Sequence, residues 1–392
     1  MKYYIIAGEA SGDLHGSNLM KGLYSEDPDA EIRFWGGDLM NGVYRPCPGG
    51  GLVRHYREGA IMGFWEVFTH AWKLLGNIGR CKKDILDWNP DAVILIDYPG
   101  FNFKIAGFAH KHGIRTFYYI APKVWASREG RIRKLKKFVD RLYIIFPFEI
   151  PYFRSKGIDA VYLGNPLVDS ISASRAMNES RADFLKRNSL QDKPVIAMLA
   201  GSRKGEISTM MPVLTEFAAK MKALPEYSDY QFLIAGAPAR TMEDYSVYLK
   251  ECYEKSGIKV LFGETLSIIR HAEAAVVNSG TASLETVLAG TPQVVGYIGS
   301  KLTIMIARHL VKVKYISLGN LIIDKLAFKE LIQDDCNAEN LMHEVRELIE
   351  NKAYRSAMLD EYARIKNALG GSGASRAVAA DMARDLQSHA NG

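Results

Sequence analysis

The sequence lacks the features that mark several common classes of protein. Its 392 residues include only four cysteines, Cys47, Cys81, Cys252 and Cys336, and none of them forms a CxxC or Cys/His pattern. We therefore expect four reduced thiols, with neither a disulfide framework nor a zinc site. No apolar run approaches the roughly 18 residues that a membrane-spanning helix needs. The short apolar segment that opens the chain is not typical of a secretory signal, so we expect a cytoplasmic location.

Nucleotide-binding fingerprints and metal-ligand spacings are also missing. The chain contains neither GxGxxG nor GxxxxGK[ST], so the sequence does not favour a dinucleotide-dependent enzyme or a P-loop NTPase. Its histidines lack metal-ligand spacing with carboxylates or cysteines, and we expect no metal and no cofactor. The net charge of +6 is modest. No stacking-aromatic motif accompanies the basic residues, so nucleic acid is not expected as a partner.

Short apolar runs alternate with helical patterns along most of the chain, which is typical of parallel βαβ units. The predicted strands form two series, residues 3–7, 32–35, 92–96, 115–120, 141–145 and 160–163, then 194–199, 231–235, 259–262, 274–277 and 293–297. We predict an α/β protein with two doubly wound, Rossmann-like domains that face a central cleft. The predicted domains are 1–168 and 190–365. Residues 366–392 are predicted to form a helix that returns to the first domain or is swapped with a partner subunit.

Loops at the carboxyl ends of the strands are the places to look for chemistry in such a fold. In the loop after the first strand, small residues around Glu9, Ser11 and Gly12 let the backbone approach a ligand, although a simple tight turn is the alternative. Asp97 ends an apolar strand and is followed by Asn102. Partial desolvation there would make Asp97 a general base, while a turn-capping role is equally compatible.

Two loops of the second series are suited to phosphate. Arg203 offers a planar fork for phosphate oxygens, and the turn before residue 281 leads into a helix whose amides favour an anion. The donor-binding candidates in these loops are Arg203, Glu206, Asn278, Ser279, Gly280, Thr281 and Glu285. A solvated basic turn and a first-turn acid that complements the helix dipole are the alternatives.

An aromatic-rich helical pattern spans residues 61–78, with an apolar arc of roughly 180°, wider than an ordinary surface helix needs. Its candidate membrane or acyl-chain contacts are Phe64, Trp65, Phe68, Trp72 and Leu75. Residues 123–141 add a basic cluster that would be attracted to an anionic membrane surface. Together these segments predict peripheral membrane attachment, against the alternatives of a core helix and a solvated helix face.

Several segments resemble the lipid-A-disaccharide synthase family in the same order along nearly the whole chain. They are AGEASGDLHG (7–16), IDYPGFN (96–102), APKVWASREGR (121–131), FPFE (146–149), AGSRKGEI (200–207), NSGTASLE (278–285), YISLGNL (315–321) and KELIQ (329–333). The resemblance implies the GT-B fold. It also implies that Asp97 matches the suspected general base and that Arg203, residues 278–281, Glu285 and Asn320 lie around UDP.

The resemblance further implies an inverting, metal-independent glycosyltransferase. The donor would be UDP-2,3-diacylglucosamine, the acceptor 2,3-diacylglucosamine 1-phosphate (lipid X), and the products a β-1,6-linked disaccharide 1-phosphate and UDP. Such an enzyme would lie on the inner face of the inner membrane of a Gram-negative cell. The Gly-rich segment before the last helix leaves a homodimer open as an alternative to a single chain. The alternatives are another GT-B enzyme acting on UDP-GlcNAc-type sugars, such as an epimerase or a soluble-acceptor transferase, and a non-catalytic lipid- or nucleotide-binding protein.

Overall fold

The computed structural model describes residues 1–59, 67–125, 129–249, 257–299 and 314–390. The chain divides into two compact units, Met1–Asp169 with Gly371–Gly392, and Ser170–Gly370. The chain therefore passes from one unit to the other after Asp169 and again after Gly370.

Parallel strands and helices account for most of the described residues. The strands are β1 Lys2–Ala7, β2 Glu31–Gly36, β3 Gly51–His55, β4 Ala92–Ile96, β5 Arg115–Tyr119, β6 Arg141–Ile144, β7 Ala160–Tyr162, β8 Val195–Leu199, β9 Gln231–Gly236, β10 Lys259–Phe262, β11 Ala274–Asn278, β12 Gln293–Tyr297 and β13 Glu330–Ile332. The helices are α1 Ala10–Glu26, α2 Asp38–Val43, α3 Val67–Trp88, α4 Pro99–Lys111, α5 Ile132–Phe138, α6 Glu149–Ser155, α7 Pro166–Ser172, α8 Arg175–Asn178, α9 Arg181–Arg187, α10 Lys204–Lys222, α11 Glu243–Leu249, α12 Thr265–Arg270, α13 Thr281–Ala289, α14 Leu318–Ile323, α15 Ala338–Glu350, α16 Lys352–Leu369 and α17 Ala374–Ala390. Short 3-10 turns span Tyr56–Gly59, Glu129–Arg131, Pro225–Tyr227 and Gln333–Asp335.

The sheet of the first unit is parallel, with the order β3-β2-β1-β4-β5-β6-β7. Side chains of a strand point alternately to the two faces of its sheet. Tyr3 and Ile5 accordingly pack in a core with residues of α1 and α17, while Tyr4 and Ile6 pack in a second core with residues of α3 and α4. Helices therefore cover both faces, which explains why β1 and β4 read as continuous apolar runs.

The sheet of the second unit is also parallel, with the order β10-β9-β8-β11-β12-β13. Its central strands β8 and β11 are buried along their whole length. In both sheets the strand order reverses beside the first strand, between β1 and β4 and between β8 and β11. Ligands of doubly wound folds bind outside the carboxyl ends of the strands at such a reversal.

Charge pairs fix the terminal helix α17 to the sheet of the first unit. Arg115 at the start of β5 makes two hydrogen bonds to Asp385, at 2.8 and 2.9 Å. Arg141 at the start of β6 makes two to Asp381, at 2.6 and 3.0 Å, and the Tyr143 hydroxyl donates a third at 2.8 Å. Because Asp381 and Asp385 lie one turn apart, they face two neighbouring strands together.

The structure confirms the strands predicted from apolar runs, with ends that differ by at most one residue. It adds two strands that the sequence did not predict, β3 and β13. Both are edge strands, and β3 is partly exposed while β13 has only three residues. Helices α15 and α16 are separated by a single residue, Asn351, whose side chain accepts a hydrogen bond from the Tyr354 amide and so caps the start of α16.

The described cysteines, Cys47, Cys81 and Cys336, are free thiols. Within the described ranges, no helix is both long enough and apolar enough to cross a membrane.

We expect the Asp381→Ala variant to lower the free energy of unfolding by about 2 kcal/mol, because it leaves Arg141 and the buried Tyr143 hydroxyl without their shared acceptor. Urea denaturation followed by circular dichroism measures the difference. The matched control is Arg384→Ala, which removes an exposed partner of the same carboxylate. It should change stability by less than about 1 kcal/mol. Equal effects of the two substitutions would contradict the anchoring role of Asp381.

Candidate active site

A strained turn at the end of β4 positions Asp97. Asp97 and the next residue, Tyr98, both have φ of 43°, in the left-handed region that costs non-glycine residues energy. The Tyr118 hydroxyl donates to the Asp97 carbonyl at 2.6 Å, and the Asn102 side-chain amide donates to the same oxygen at 2.8 Å. The Asp97 amide in turn donates to the Tyr119 carbonyl at 3.1 Å. The two ends of the Asp97 backbone are therefore both fixed, and its side chain remains exposed.

The loop after β1 lies against this turn. A Cβ atom on Gly8 would come within 2.4 Å of the Tyr98 ring, so only glycine allows this approach. The neighbouring Glu9 is exposed. Crowding by surrounding protein raises the pKa of Asp97, the Glu9 carboxylate raises it further, and Lys123 and Arg131 oppose the rise. Asp97 thus combines solvent access with a carboxylate more basic than usual, which suits proton abstraction.

The first turn of α1 contributes backbone rather than reactive side chains. Ser11 is exposed there, whereas Gly12 is buried close to Ala7. Asp13, in the same motif, accepts hydrogen bonds from the amides of Gly37, Leu39 and Met40 at 2.7 to 3.0 Å. Asp13 therefore caps the start of α2, a role that could not be predicted from the motif itself.

A buried carboxylate supports the loop after β5. Glu149 is 1% exposed and accepts hydrogen bonds from the Trp125 indole at 2.9 Å and from the Ile145 and Phe146 amides at 3.2 and 3.0 Å. Burial raises the pKa of Glu149 to about 7, although these donors and Lys123 favour the charged form. The sequence analysis quoted Glu149 in the FPFE motif without assigning it a role. Its partner Trp125 lies 24 residues away, so spacing alone could not reveal the pair.

In the second unit, the loop after β8 closes on the loop after β11. Gly201 has φ of 103°, and a Cβ atom there would lie 2.7 Å from both the side-chain nitrogen of Asn278 and the Glu206 carboxylate. Glu206 accepts hydrogen bonds from the Ser202 and Arg203 amides at 2.9 and 3.1 Å. Burial opposes its charged form, but these amides and the Arg203 guanidinium keep the pKa of Glu206 below its usual value. Glu206 therefore shapes the loop, and the side chain of Arg203 remains 83% exposed.

The turn after β11 leaves a helix start open. Ser279 is held by its amide, which donates to Gly296 at 3.1 Å, and by its hydroxyl, which donates to Ile316 at 3.1 Å. Gly280 and Thr281 are exposed, and within the described ranges no side chain caps the start of α13. The first amides of this helix are thus available to an anion. Arg240 was not predicted from the sequence, but its guanidinium donates to the Ser202 carbonyl at 3.3 Å and adds a cation at this edge.

Glu285 and Asn320 differ in how much of their hydrogen-bonding capacity is left. Desolvation raises the pKa of the Glu285 carboxyl, and it has no hydrogen-bond partner among the described residues. Asn320 is fully buried, donates to Phe328 and Glu330, and accepts from Ala327 and Phe328. Its geometry therefore favours positioning of the 316–330 segment over direct contact with a ligand.

The predicted membrane contacts lie largely outside the described residues. This holds for Phe64 and Trp65 and for the side chains of Phe68 and Trp72. Leu75, on α3, is 59% exposed. Among the side chains that the structure describes, no cluster of three or more His, Cys, Asp or Glu is arranged to hold a metal ion.

Comparison with known proteins identifies the family. A family model described as lipid-A-disaccharide synthetase matches residues 3–380. A lipid-A-disaccharide synthase of Syntrophus aciditrophicus is 38% identical over 379 residues, covering 96% of this chain and 95% of the relative. The chain belongs to the lipid-A-disaccharide synthase family. A second member, from Geobacter metallireducens, is 34% identical over 377 residues, covering 96% and 94%. Membership of the lipid-A-disaccharide synthase family confirms the predicted resemblance and makes this chain a glycosyltransferase of lipid A biosynthesis.

Solved structures show which fold this lipid-A-disaccharide synthase family member adopts. A UDP-GlcNAc 2-epimerase from Neisseria meningitidis bound to UDP-GlcNAc matches with a TM-score of 0.67 at 12% identity, covering 98% of this chain and all of the other. The Methanocaldococcus jannaschii enzyme in complex with UDP-GlcNAc and UDP gives 0.64 at 15% identity, covering 99% of each. The predicted GT-B fold class is thus confirmed. At such low identity these matches show the fold alone.

We compare the free energy of unfolding of the Glu149→Gln variant with that of the unmodified chain. The difference should shift in favour of the variant by about 1 to 3 kcal/mol as the pH rises from 5 to 8. The raised pKa means that the native chain holds the Glu149 proton more tightly than the unfolded chain does. The unmodified chain therefore loses stability as the pH rises from the ordinary value of 4.5 through about 7. An amide does not titrate and lacks this loss.

Urea denaturation of both proteins at the two pH values measures the effect. Glu243→Gln, at an exposed position, is the control and should show no change with pH. A Glu149→Gln difference that is the same at both pH values would contradict the assignment of this pKa to Glu149.

Proposed function

We propose that the chain transfers the 2,3-diacylglucosamine group of UDP-2,3-diacylglucosamine to the 6-hydroxyl of 2,3-diacylglucosamine 1-phosphate. The products are a β-1,6-linked disaccharide 1-phosphate and UDP. The observation that carries the proposal is Asp97, an exposed carboxylate of raised pKa on a fixed turn at the end of β4. Family membership supplies the substrate class.

Asp97 takes the proton of the acceptor 6-hydroxyl while that oxygen forms a bond to the anomeric carbon of the donor. The bond between the anomeric carbon and the phosphate oxygen breaks on the opposite face, so the configuration inverts and UDP carries away the electron pair. General-base help of this kind contributes about 10²- to 10⁴-fold to the rate.

The second unit stabilises the departing diphosphate in this proposal. Arg203 and the open amides at the start of α13 lie on neighbouring loops and supply the positive charge that the leaving group needs. Glu285, with an unpartnered carboxyl among the described residues, accepts hydrogen bonds from the ribose hydroxyls. Asn278, Ser279, Gly280 and Thr281 provide the turn, Glu206 shapes the Arg203 loop and Asn320 positions the segment behind it.

UDP release measures this function directly. The purified chain in EDTA and mild detergent is given UDP-2,3-diacylglucosamine with and without the acceptor. We expect UDP and a disaccharide 1-phosphate only when the acceptor is present. Conversion of the donor without an acceptor would favour an epimerase, and release with acceptors that lack acyl chains would favour a soluble-acceptor transferase. Nucleotide binding without any turnover would favour a non-catalytic protein.

We expect Asp97→Ala to reduce turnover at least about 10²-fold, because the proton acceptor is removed, while UDP binds with unchanged affinity. Steady-state UDP release and calorimetric titration with UDP measure the two properties. The control is Asp87→Ala, an exposed acid near the end of α3, which should retain full activity. Near-normal turnover of Asp97→Ala would remove this residue from the mechanism.

We also propose that the chain attaches peripherally to the inner face of the inner membrane through the aromatic segment of residues 61–78 and the basic residues after 123. Leu75 is exposed on α3, and Arg133, Lys134, Lys136 and Lys137 are exposed on α5. Such a combination of apolar area and positive charge favours an anionic lipid surface.

Replacement of Phe64, Trp65, Phe68 and Trp72 by serine should weaken binding to anionic vesicles at least tenfold with little change in melting temperature, because these side chains would insert into the interface. Vesicle co-sedimentation measures the binding, and thermal denaturation measures the melting temperature. Whether the chain forms a homodimer is a separate question, which sedimentation equilibrium of the same proteins decides. A collapse of the melting temperature would show that this segment belongs to the core instead.

A further inference from the structure

Two cations accompany the carboxylates around Asp97. Lys123 lies in the loop after β5, and Arg131 ends the 3-10 turn before α5. β4 and β5 are neighbours, with Ile96 paired to Tyr119, so the loops that follow them meet at one edge of the sheet. Both cations act on Asp97, and Glu9 acts on it with the opposite sign. Two acids and two cations thus lie together at this edge of the sheet, and all of them except Arg131 are exposed.

Arg131 is held near Asp97 by aromatic contacts. Its guanidinium carbon lies 5.8 Å from the centre of the Phe103 ring, and that ring lies 5.8 Å from the ring of Tyr118. The Tyr118 hydroxyl is the group that donates to the Asp97 carbonyl. Among the described residues, no carboxylate forms an ion pair with Arg131. Its fork of donors is therefore available to a ligand, and such a fork matches a phosphate.

Lys123 is an exposed residue on a firmly held loop. Its neighbour Val124 is buried, the Ala121 amide donates to the Tyr143 carbonyl at 3.1 Å, and Trp125 is fixed by Glu149. The backbone on both sides of Lys123 is thus pinned, and the residue itself is exposed. A pinned loop with an exposed ammonium group suits an electrostatic contact with a mobile ligand.

We propose that Lys123 and Arg131 bind the phosphate group of the acceptor sugar while its 6-hydroxyl lies at Asp97. This inference rests on the proposed function. The acceptor carries a neutral hydroxyl and an anionic phosphate on one sugar ring, so it needs a proton acceptor and cations side by side. Glu149 is the positioning residue for the Lys123 loop. The diphosphate of the donor is bound separately, in the second unit.

Binding of the phosphate has a consequence for Asp97. The two cations lower the pKa of Asp97 in the free chain. When a phosphate group neutralises them, this lowering is lost, and the carboxylate becomes a stronger base. The acceptor would thereby increase the basicity of the group that deprotonates it.

The test compares two acceptors, 2,3-diacylglucosamine 1-phosphate and 2,3-diacylglucosamine without the phosphate, in the UDP-release assay. For Lys123→Ala and Arg131→Ala we expect KM for the phosphorylated acceptor to rise about tenfold or more, the loss typical of a hydrogen bond to a charged group. KM for the acceptor without phosphate and KM for the donor should stay unchanged. Arg131→Lys, which keeps the charge but loses the fork, should lie between Arg131→Ala and the unmodified chain.

Lys111→Ala is the control. This exposed lysine lies at the end of α4, outside the basic segment of residues 123–141, and it is not among the charges that act on Asp97. It should leave both KM values unchanged. Equal losses with both acceptors would overturn the proposal, since the cations would then act on Asp97 alone. Unmodified chain that uses both acceptors equally well would also overturn it. Unmodified chain that releases no UDP with either acceptor would instead refute the proposed function, and the phosphate site with it.

Discussion

The left-handed turn at Asp97 and Tyr98 is the constraint on which the first unit's candidate site depends. β4 is buried on both faces, so its first polar side chain appears only where the strand leaves the sheet. Two consecutive residues of positive φ are unfavourable, and they persist because Tyr118 and Asn102 bind the Asp97 carbonyl. This arrangement directs the side chain to solvent while the backbone stays within the packed edge. Strain held by buried donors is therefore what makes a rigid, exposed carboxylate possible.

Both units use a glycine to bring two loops together, but they prepare opposite electrostatic surroundings. Because Gly8 has no side chain, the Tyr98 ring can pack against it beside Asp97. Because Gly201 has none, the side chains of Asn278 and Glu206 can pack against it. In the first unit, crowding and a neighbouring acid raise the pKa of the exposed carboxylate. In the second, Glu206 has a lowered pKa and accepts hydrogen bonds from backbone amides. Arg203 stays exposed, and the start of α13 has no side-chain cap among the described residues. The surroundings in the first unit suit removal of a proton from a substrate, and those in the second suit the negative charge that grows on a leaving group.

Much of this architecture could be predicted from the sequence because buried parallel strands are continuous apolar runs. The edge strands β3 and β13 escape that signal, since β3 is half-exposed and β13 is short, whereas the edge strands β7 and β10 do not. The position of Asp97 followed from the end of an apolar run. The behaviour of Glu206 and Asn320 did not, because it depends on which amides and carbonyls fold back onto each side chain. The same holds for Glu149, whose indole partner is distant in the chain.

The fold by itself does not say which reaction this chain performs. Solved UDP-GlcNAc 2-epimerases share the fold at 12 to 16% identity, and an epimerase changes one sugar without a second substrate. A transferase must also recognise an acceptor and remove its proton. In our proposal, the exposed carboxylate of Asp97 and the cations Lys123 and Arg131 of the first unit would meet this need. Differences in chemistry between enzymes of this fold are therefore to be sought at the carboxyl edge of the first sheet, where acceptor and base would meet.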